Sequence, residues 1–280
     1  MDGYSGLMRK TSTRILIGIY VFLVLWWLTI YYRGLQETTE NYLFSLIYTV
    51  MPLGWGILGL SNARIWGGFQ SYMGRAILFF SGGLCAWGIG NLIYAYYNLV
   101  LKIPVPYPSI ADAGFFLLYP FSAVGVVYLY RITGASLALR STWGKLGLLV
   151  IPFFLVALSY YLLLIVARGG VITYDQDLLK LILDVVYPVG DVVVITLAAV
   201  VYTLSYGYLG GSFRKPIVII LIAFTFAYVT DFAFSYTTTT GTFFVANWVD
   251  LLYATTFFLI SLGLNSLDIK VISRRDIQPL

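Results

Sequence analysis

Long apolar runs, separated by short polar segments, follow one another along the whole chain. Each run is close to the ~20 residues that an α-helix needs to cross the hydrocarbon core of a bilayer. The pattern therefore predicts an all-α, polytopic membrane protein with eight transmembrane helices. The runs cover residues 15–32, 43–60, 76–101, 108–130, 146–167, 179–207, 216–237 and 243–264.

The composition supports this class and excludes several kinds of chemistry. Of the 280 residues, 60% are hydrophobic and 10% are charged, whereas soluble domains carry about 25% charged residues. The chain has no histidine and a single cysteine, Cys85. This excludes histidine-ligated haem, the usual zinc sites, an internal disulfide and histidine-dependent nucleophilic catalysis. Because the sequence also lacks a phosphate-binding glycine motif and a nucleophile elbow, we expect no enzymatic activity, and the cofactor is left open.

The basic residues are sorted by alternate loops. Of the seventeen lysines and arginines, thirteen fall on one side of the predicted spans and four, Arg33, Lys102, Arg168 and Lys180, fall on the other. Cytoplasmic loops carry an excess of basic residues, so we expect a multi-pass protein of the cell membrane with both ends, 1–14 and 267–280, in the cytoplasm. The first run is too long for a signal peptide and lacks a small-residue cleavage site, which predicts an uncleaved anchor. The net charge of +5 follows from this sorting and gives no reason to expect a nucleic-acid partner.

The two halves of the chain share a weak internal repeat. It predicts two parallel four-helix units, 15–130 and 146–266, because an even number of spans in each unit gives both units the same orientation. Their axis would be a pseudo-twofold along the membrane normal. Three motifs match in order: Pro52-Leu-Gly-Trp55 with Pro188-Val-Gly-Asp191, Asn91 with Asp231, and Asp112 with Asp250.

The sixth run contains two acidic residues on either side of a proline. Asp184 and Asp191 are seven residues apart and share one helix face. Pro188 lacks the N–H that would bond the carbonyl of Asp184 in a helix, so this face would also carry a free acceptor. An ionisable group at the centre of a membrane helix costs roughly 2.5–3.5 kcal/mol. The pair therefore indicates either a polar interior with a function or a satisfied buried pair that only locks helix packing.

Further acids and aromatics are expected at the same outer level. The directions of the predicted helices place five carboxylates in the outer leaflet, while the inner halves of the helices carry none. Together with two aromatic residues they predict an outward-facing pocket for a small cation or a cationic ligand. The candidate ligand-binding residues are Asp112, Asp184, Tyr187, Asp191, Asp231, Trp248 and Asp250.

Three motifs in this order resemble a known membrane module. They are the run from Pro106 to Pro120 with Asp112 inside it, the run Asp184-Val-Val-Tyr-Pro-Val-Gly-Asp191, and Asp231 followed by Asn247-Trp-Val-Asp250. Over roughly 76–266 the chain resembles the N-terminal membrane region of bacterial signalling proteins that carry diguanylate cyclase (GGDEF) and often phosphodiesterase (EAL) domains. The resemblance implies a sensory input module with Asp112, Tyr187, Pro188, Asp191, Asp231, Trp248 and Asp250 at its motif positions. Sixteen residues follow Leu264, so we expect any signal to pass to a separate membrane or cytoplasmic protein and do not carry over the cyclase activity.

Other membrane functions fit the sequence less well. An intramembrane aspartyl protease of the presenilin type would need its motifs in another order, and a retinal protein would need a lysine deep in a helix. Two alternatives stay open beside the sensor or ligand-binding module. One is a structural subunit of a larger membrane complex, and the other is a cation- or proton-coupled transporter, which could use the same acids.

Overall fold

The computed structural model describes residues 10–133, 135–167, 169–170, 178–205 and 214–267. Within them, eight helical segments are long and apolar enough to cross a membrane, which confirms the all-α, multi-pass prediction. The predicted terminal segments lie largely outside the described residues, as do five of the sorted cations, Arg9, Arg168, Lys270, Arg274 and Arg275. The segments, called the first to eighth spans, are Thr11–Tyr32, Thr39–Ile65, Tyr72–Leu101, Ile110–Ile132, Thr142–Leu163, Leu178–Ser205, Arg214–Thr239 and Trp248–Ser266.

Some spans are not uniform α-helices. The third span changes to a π-helix at Tyr97–Leu101, and the fifth changes at Tyr160–Val166. A 3₁₀ turn, Gly68–Gln70, precedes the third span, and a short helix, Ala135–Ala138, precedes the fifth. In a bilayer the backbone must satisfy its own hydrogen bonds, so even these irregular stretches remain helical.

The second span is interrupted one turn before a proline. It consists of two helices, Thr39–Tyr48 and Val50–Ile65, because Pro52 cannot donate to the carbonyl of Tyr48. At the break the N–H of Thr49 donates to Leu46 instead of to Ser45. The carbonyl oxygen of Ser45 accepts hydrogen bonds from the Thr49 hydroxyl at 3.0 Å and from Nδ2 of Asn91 at 2.9 Å. A side chain of the third span thus satisfies an acceptor that the interrupted helix leaves open.

The contacts at the helix ends show that the first span runs in the opposite direction to the second and eighth spans. Nζ of Lys10 donates to the carbonyl oxygen of Asn265 at 3.2 Å, and Nε1 of Trp66 donates to that of Leu267 at 2.6 Å. We call this end of the bundle the basic end, because nine described lysines and arginines belong to it. They are Lys10, Arg14, Arg64, Arg75, Arg131, Arg140, Lys145, Arg214 and Lys215.

The opposite end of the bundle is where the second, fourth, sixth and eighth spans begin. Nε1 of Trp27 donates to the carbonyl oxygen of Asn247 at 3.0 Å, and Nδ2 of Asn41 donates to that of Val245 at 2.9 Å. These bonds join the end of the first span to the starts of the second and eighth. We call this end the acidic end, since Asp112 and Asp250 lie in the first turns of the fourth and eighth spans.

The interior is built mainly from the second, third, fourth, seventh and eighth spans. The rings of Trp87 and Phe257 lie 4.0 Å apart at its centre, and Phe80 packs against Phe224 from the seventh span. The third and fourth spans approach most closely where glycines face each other, since a Cβ on Gly114 would lie 2.7 Å from Cα of Gly90. Small residues at such a crossing let two membrane helices meet backbone to backbone.

The first and fifth spans lie at the periphery of the bundle. Phe153 of the fifth span is 76% exposed and Leu25 of the first span is 58% exposed. In water such faces would be costly, but lipid tails are as apolar as these side chains, so contact with lipid accounts for them. The acids, in contrast, lie on the spans that pack against one another.

Candidate functional site

Two carboxyl groups meet between the sixth and seventh spans. Asp191 and Asp231 lie within hydrogen-bonding reach of each other, and Asp191 is 7% exposed. The hydroxyl of Tyr253 donates to Oδ1 of Asp231 at 2.7 Å, and that of Tyr119 donates to Oδ2 at 3.4 Å. We call these four side chains the acid pair and its tyrosines. They bring together the fourth, sixth, seventh and eighth spans at one point.

Among the described residues no basic side chain forms an ion pair with Asp191 or Asp231. Within the described residues the ion pair that forms is between Arg33 and Glu40, at the acidic end and away from the pair. Two adjacent carboxylates repel each other strongly in a medium of low dielectric constant, and they can hydrogen-bond to each other when one of them carries a proton. The geometry can therefore hold one proton between the two groups, or a small cation in its place.

The sequence next to the acid pair allows a tyrosine ring to reach it. A Cβ on Gly190 would lie 2.6 Å from Cγ of Tyr119, so the ring of Tyr119 rests directly on the backbone of the sixth span. The ring of Tyr187 packs edge-on against the ring of Tyr119, with centroids 5.9 Å apart. Pro188 lies within the continuous helix Leu178–Ser205. In this motif Tyr187 supplies the aromatic contact, Gly190 leaves space for the ring of Tyr119, and Asp191 supplies the acid.

Asp112 is joined to this site through Tyr187. The Tyr187 hydroxyl donates to Oδ1 of Asp112 at 2.9 Å. The other oxygen, Oδ2, accepts from the backbone N–H of Ser109 at 2.7 Å, which forms a capping box at the start of the fourth span. Asp112 is 8% exposed. It therefore fixes the start of a helix and the position of Tyr187 at the same time.

The remaining predicted residues have partners of their own. Asp184 accepts a hydrogen bond from the Tyr107 hydroxyl at 2.9 Å, in a partly exposed position. Asp250 is 5% exposed and accepts from the backbone N–H of Ala246 at 2.5 Å, next to the first turn of the eighth span. Trp248 begins that span and is 48% exposed.

The acids are therefore arranged as one close pair and three separately bonded groups. Asp184 and Asp191 share a helix face, as predicted, but they bond to different spans. Within the residues that the structure describes, no three acidic or cysteine side chains come together in a way that could hold a metal ion. The candidate site is consequently the acid pair and its tyrosines, with Asp112 and Tyr187 beside it.

Tyr119, Tyr253 and Gly190 were not among the candidate residues predicted from the sequence. The two tyrosines carry a signal that could have identified them. Tyr119 lies seven residues after Asp112, and Tyr253 lies three residues after Asp250, so each shares a helix face with the acid near the start of its span. Gly190 lies inside the motif Pro188-Val-Gly-Asp191, but the motif does not indicate which side chain packs on it.

Comparisons of the chain with models of known protein families, with curated proteins and with solved structures find no match. The resemblance to the membrane region of diguanylate cyclase-type signalling proteins therefore stays a prediction that depends on the three motifs.

Proposed function

We propose that the chain is a multi-pass membrane sensor or ligand-binding module whose binding element is the acid pair and its tyrosines, and that it signals through a separate protein chain. The observation that carries the proposal is the contact between Asp191 and Asp231 where the sixth and seventh spans meet, with no basic side chain paired to either acid among the described residues. A proton, a small cation or a cationic group of a ligand would each relieve the repulsion between the two carboxylates.

The arrangement of the spans gives such a binding event a structural effect. When the pair is occupied, the sixth and seventh spans are held together through their acids. When it is empty, two negative charges face each other and favour a separation of the same two spans. A ligand shifts a conformational equilibrium by its difference in affinity for the two states. Tyr119 and Tyr253 extend that effect to the fourth and eighth spans.

Two parallel four-helix repeats form part of the proposal, and several contacts support them. The eighth span packs on the second, and the fourth packs on the sixth, as a pseudo-twofold axis would require. Asp112 and Asp250 each accept a backbone N–H at the start of the fourth and eighth spans. Asn91, which matches Asp231, also reaches the preceding span near its proline. In the first repeat an amide thus takes the place of an acid, so the proposed site occurs once.

The orientation is proposed from the distribution of charge. Basic residues concentrate at one end of the bundle, and cytoplasmic loops carry an excess of lysine and arginine. With the basic end in the cytoplasm of a bacterial cell, both termini are cytoplasmic and the acid pair is approached from outside. A partner that receives the signal would then contact the basic end, either within the bilayer or from the cytoplasm.

The two alternatives differ from the sensor in measurable ways. A cation- or proton-coupled transporter would use the same pair but would also move its ion across the membrane. A structural subunit would use the acids as hydrogen-bonding groups and would need its partner in order to be stable. The exposed apolar faces of the first and fifth spans do not favour a subunit, since lipid alone accounts for them.

The proposal is tested by the stability of the purified protein in detergent. We expect the melting temperature of the wild type to fall as the pH is raised, because loss of the shared proton leaves two adjacent anions, and to rise again with sodium or tetramethylammonium. A ligand at a hundred times its Kd stabilises the folded state by about 2.7 kcal/mol. The changes Asp191→Asn and Asp231→Asn should remove this response, whereas Asp184→Asn, in the same helix but bonded to Tyr107, should keep it.

Two results would contradict the proposal. If neither pH nor any of these cations shifts the melting temperature of the wild type, and Asp191→Asn unfolds the protein, the acids are structural and the subunit alternative is favoured. If the response is present but vesicles that contain the protein also take up the cation or proton, the transporter is favoured. Binding without flux supports the sensor.

A further inference from the structure

A groove of about 450 Å³ lies between the third and fourth spans at the basic end. Neither acid of the acid pair lines it. Two arginines line it. Arg75 stands in the first turn of the third span, and Arg131 stands in the last turn of the fourth. The two positive charges therefore come from helices that run in opposite directions and meet at the same level of the bundle.

The two guanidinium groups have no acidic partner within the described residues. Nε of Arg75 donates to the carbonyl oxygen of Phe69 at 2.5 Å, and its guanidinium carbon lies 5.8 Å from the ring centre of Tyr72 and 5.5 Å from that of Tyr128. These contacts fix the direction of the side chain and leave its charge uncompensated. Arg131 is exposed. An anion between the two arginines would meet guanidinium groups that suit bidentate binding of phosphate.

The lining of the groove changes from charged to apolar along the fourth span. From Arg131 towards the middle of the span, the groove is lined by Tyr128 and then by Val127, Val124 and Ala123. Val127 is 44% exposed. A charged rim followed by an apolar wall matches a molecule that has an anionic head and a hydrocarbon chain. Inorganic phosphate would use the rim alone.

We propose that this groove binds one anionic phospholipid, with its phosphate between Arg75 and Arg131 and an acyl chain along the apolar wall of the fourth span. The inference does not depend on the acid pair. Basic pockets between membrane helices on the cytoplasmic side are suited to anionic lipid headgroups. Tyr72 and Tyr128, which line the groove with the two arginines, stack with their ring centres 6.3 Å apart.

The test is native mass spectrometry of the full chain released from detergent in the presence of phosphatidylglycerol or phosphatidylcholine with identical acyl chains. We expect phosphatidylglycerol to be retained in preference. A basic residue near an anionic membrane surface contributes a factor of roughly five in binding, so Arg75→Gln or Arg131→Gln should each lower the preference about fivefold and both together about twenty-five-fold. Arg64→Gln is the matched control, because Arg64 is an exposed arginine in the last turn of the second span, outside the groove.

A second variant tests the apolar wall without changing the charge. Val127→Trp fills the groove next to Tyr128 and should lower phosphatidylglycerol retention while both arginines remain. The proposal is overturned if the two lipids are retained equally, if Arg64→Gln lowers retention as much as Arg131→Gln, or if inorganic phosphate displaces the lipid at equal concentration. That last result would assign the rim to free phosphate.

Discussion

Replacement of Gly190 by alanine tests the packing that brings Tyr119 to the acid pair. The added Cβ would lie 2.6 Å from Cγ, 2.8 Å from Cδ1 and 3.1 Å from Cβ of Tyr119. These atoms are at the root of the side chain, so a rotation of the distal ring cannot relieve the clash. Either the tyrosine leaves its rotamer, and with it the hydrogen bond to Asp231, or the fourth and sixth spans move apart.

The size of the effect follows from two opposing terms. Carbon atoms in contact are normally about 3.5–4.0 Å apart, so the new methyl group is roughly 1 Å too close. Overpacking of this kind costs about 1–3 kcal/mol. Alanine is also better than glycine in a helix interior, by up to about 1 kcal/mol. The net loss of stability for Gly190→Ala should therefore be about 0–3 kcal/mol.

The sequence Pro52-Leu-Gly54 supplies a matched control that removes the contribution of helix propensity. Gly54 follows Pro52 as Gly190 follows Pro188, and it lies inside the helix Val50–Ile65. A Cβ on Gly54 would meet no atom within 4 Å. Gly54→Ala should be neutral or stabilising by up to about 1 kcal/mol, so the difference between the two variants isolates the clash at about 1–3 kcal/mol.

The assay is reversible unfolding of both variants in mixed micelles, followed by circular dichroism, together with the cation response of the melting temperature. Gly190→Ala should be less stable than Gly54→Ala and should show a weaker cation response. If Gly190→Ala is as stable as Gly54→Ala and responds normally, Tyr119 does not rest on the sixth span, and its contact with Asp231 is not part of the site.

Two further predictions concern parts of the bundle outside the acid pair. Gly114→Ala should cost about 3 kcal/mol or more in the same unfolding assay. The new Cβ would meet the carbonyl oxygen of Ala86 at 2.6 Å and the nitrogen of Gly90 at 2.7 Å, and backbone atoms cannot rotate away. A loss below about 1 kcal/mol would contradict this close crossing. Arg33→Gln should cost no more than about 1 kcal/mol, since the 2.8 Å ion pair with Glu40 is partly exposed, and the difference from the wild type should vanish at high salt.

The spans could be predicted because their cause is local. A run of apolar side chains suits a lipid environment wherever it occurs in the chain, and the backbone then has to form a helix. The interruption of the second span was not predicted, although Pro52 was noted in the sequence. Pro188 lies in an unbroken helix, so a proline alone does not predict a break, and the contact of Asn91 with the carbonyl of Ser45 comes from a different span.

The partners of the acids could not be predicted from periodicity. Periodicity correctly places Asp184 and Asp191 on one face, but the rotation of neighbouring helices decides which side chains they meet. Asp191 meets Asp231, and Asp184 meets Tyr107. The bonding of Asp112 was more accessible, because a serine three residues before an acid at a helix start is typical of a capping box.

The two neighbours of the fourth span constrain its movement differently. Against the third span it touches backbone to backbone at Gly114 and Gly90, so sliding along this line would drive main-chain atoms into each other. Against the sixth span it touches through a side chain, since Tyr119 lies on the backbone at Gly190 and packs edge-on against the ring of Tyr187. The third and fourth spans thus behave as one stiff body, and shear is easiest along the aromatic seam with the sixth. A movement of the fourth span against the sixth would therefore tilt the third and fourth spans together at the basic end. The groove of Arg75 and Arg131 lies entirely on these two spans, so it would move with them and keep its shape.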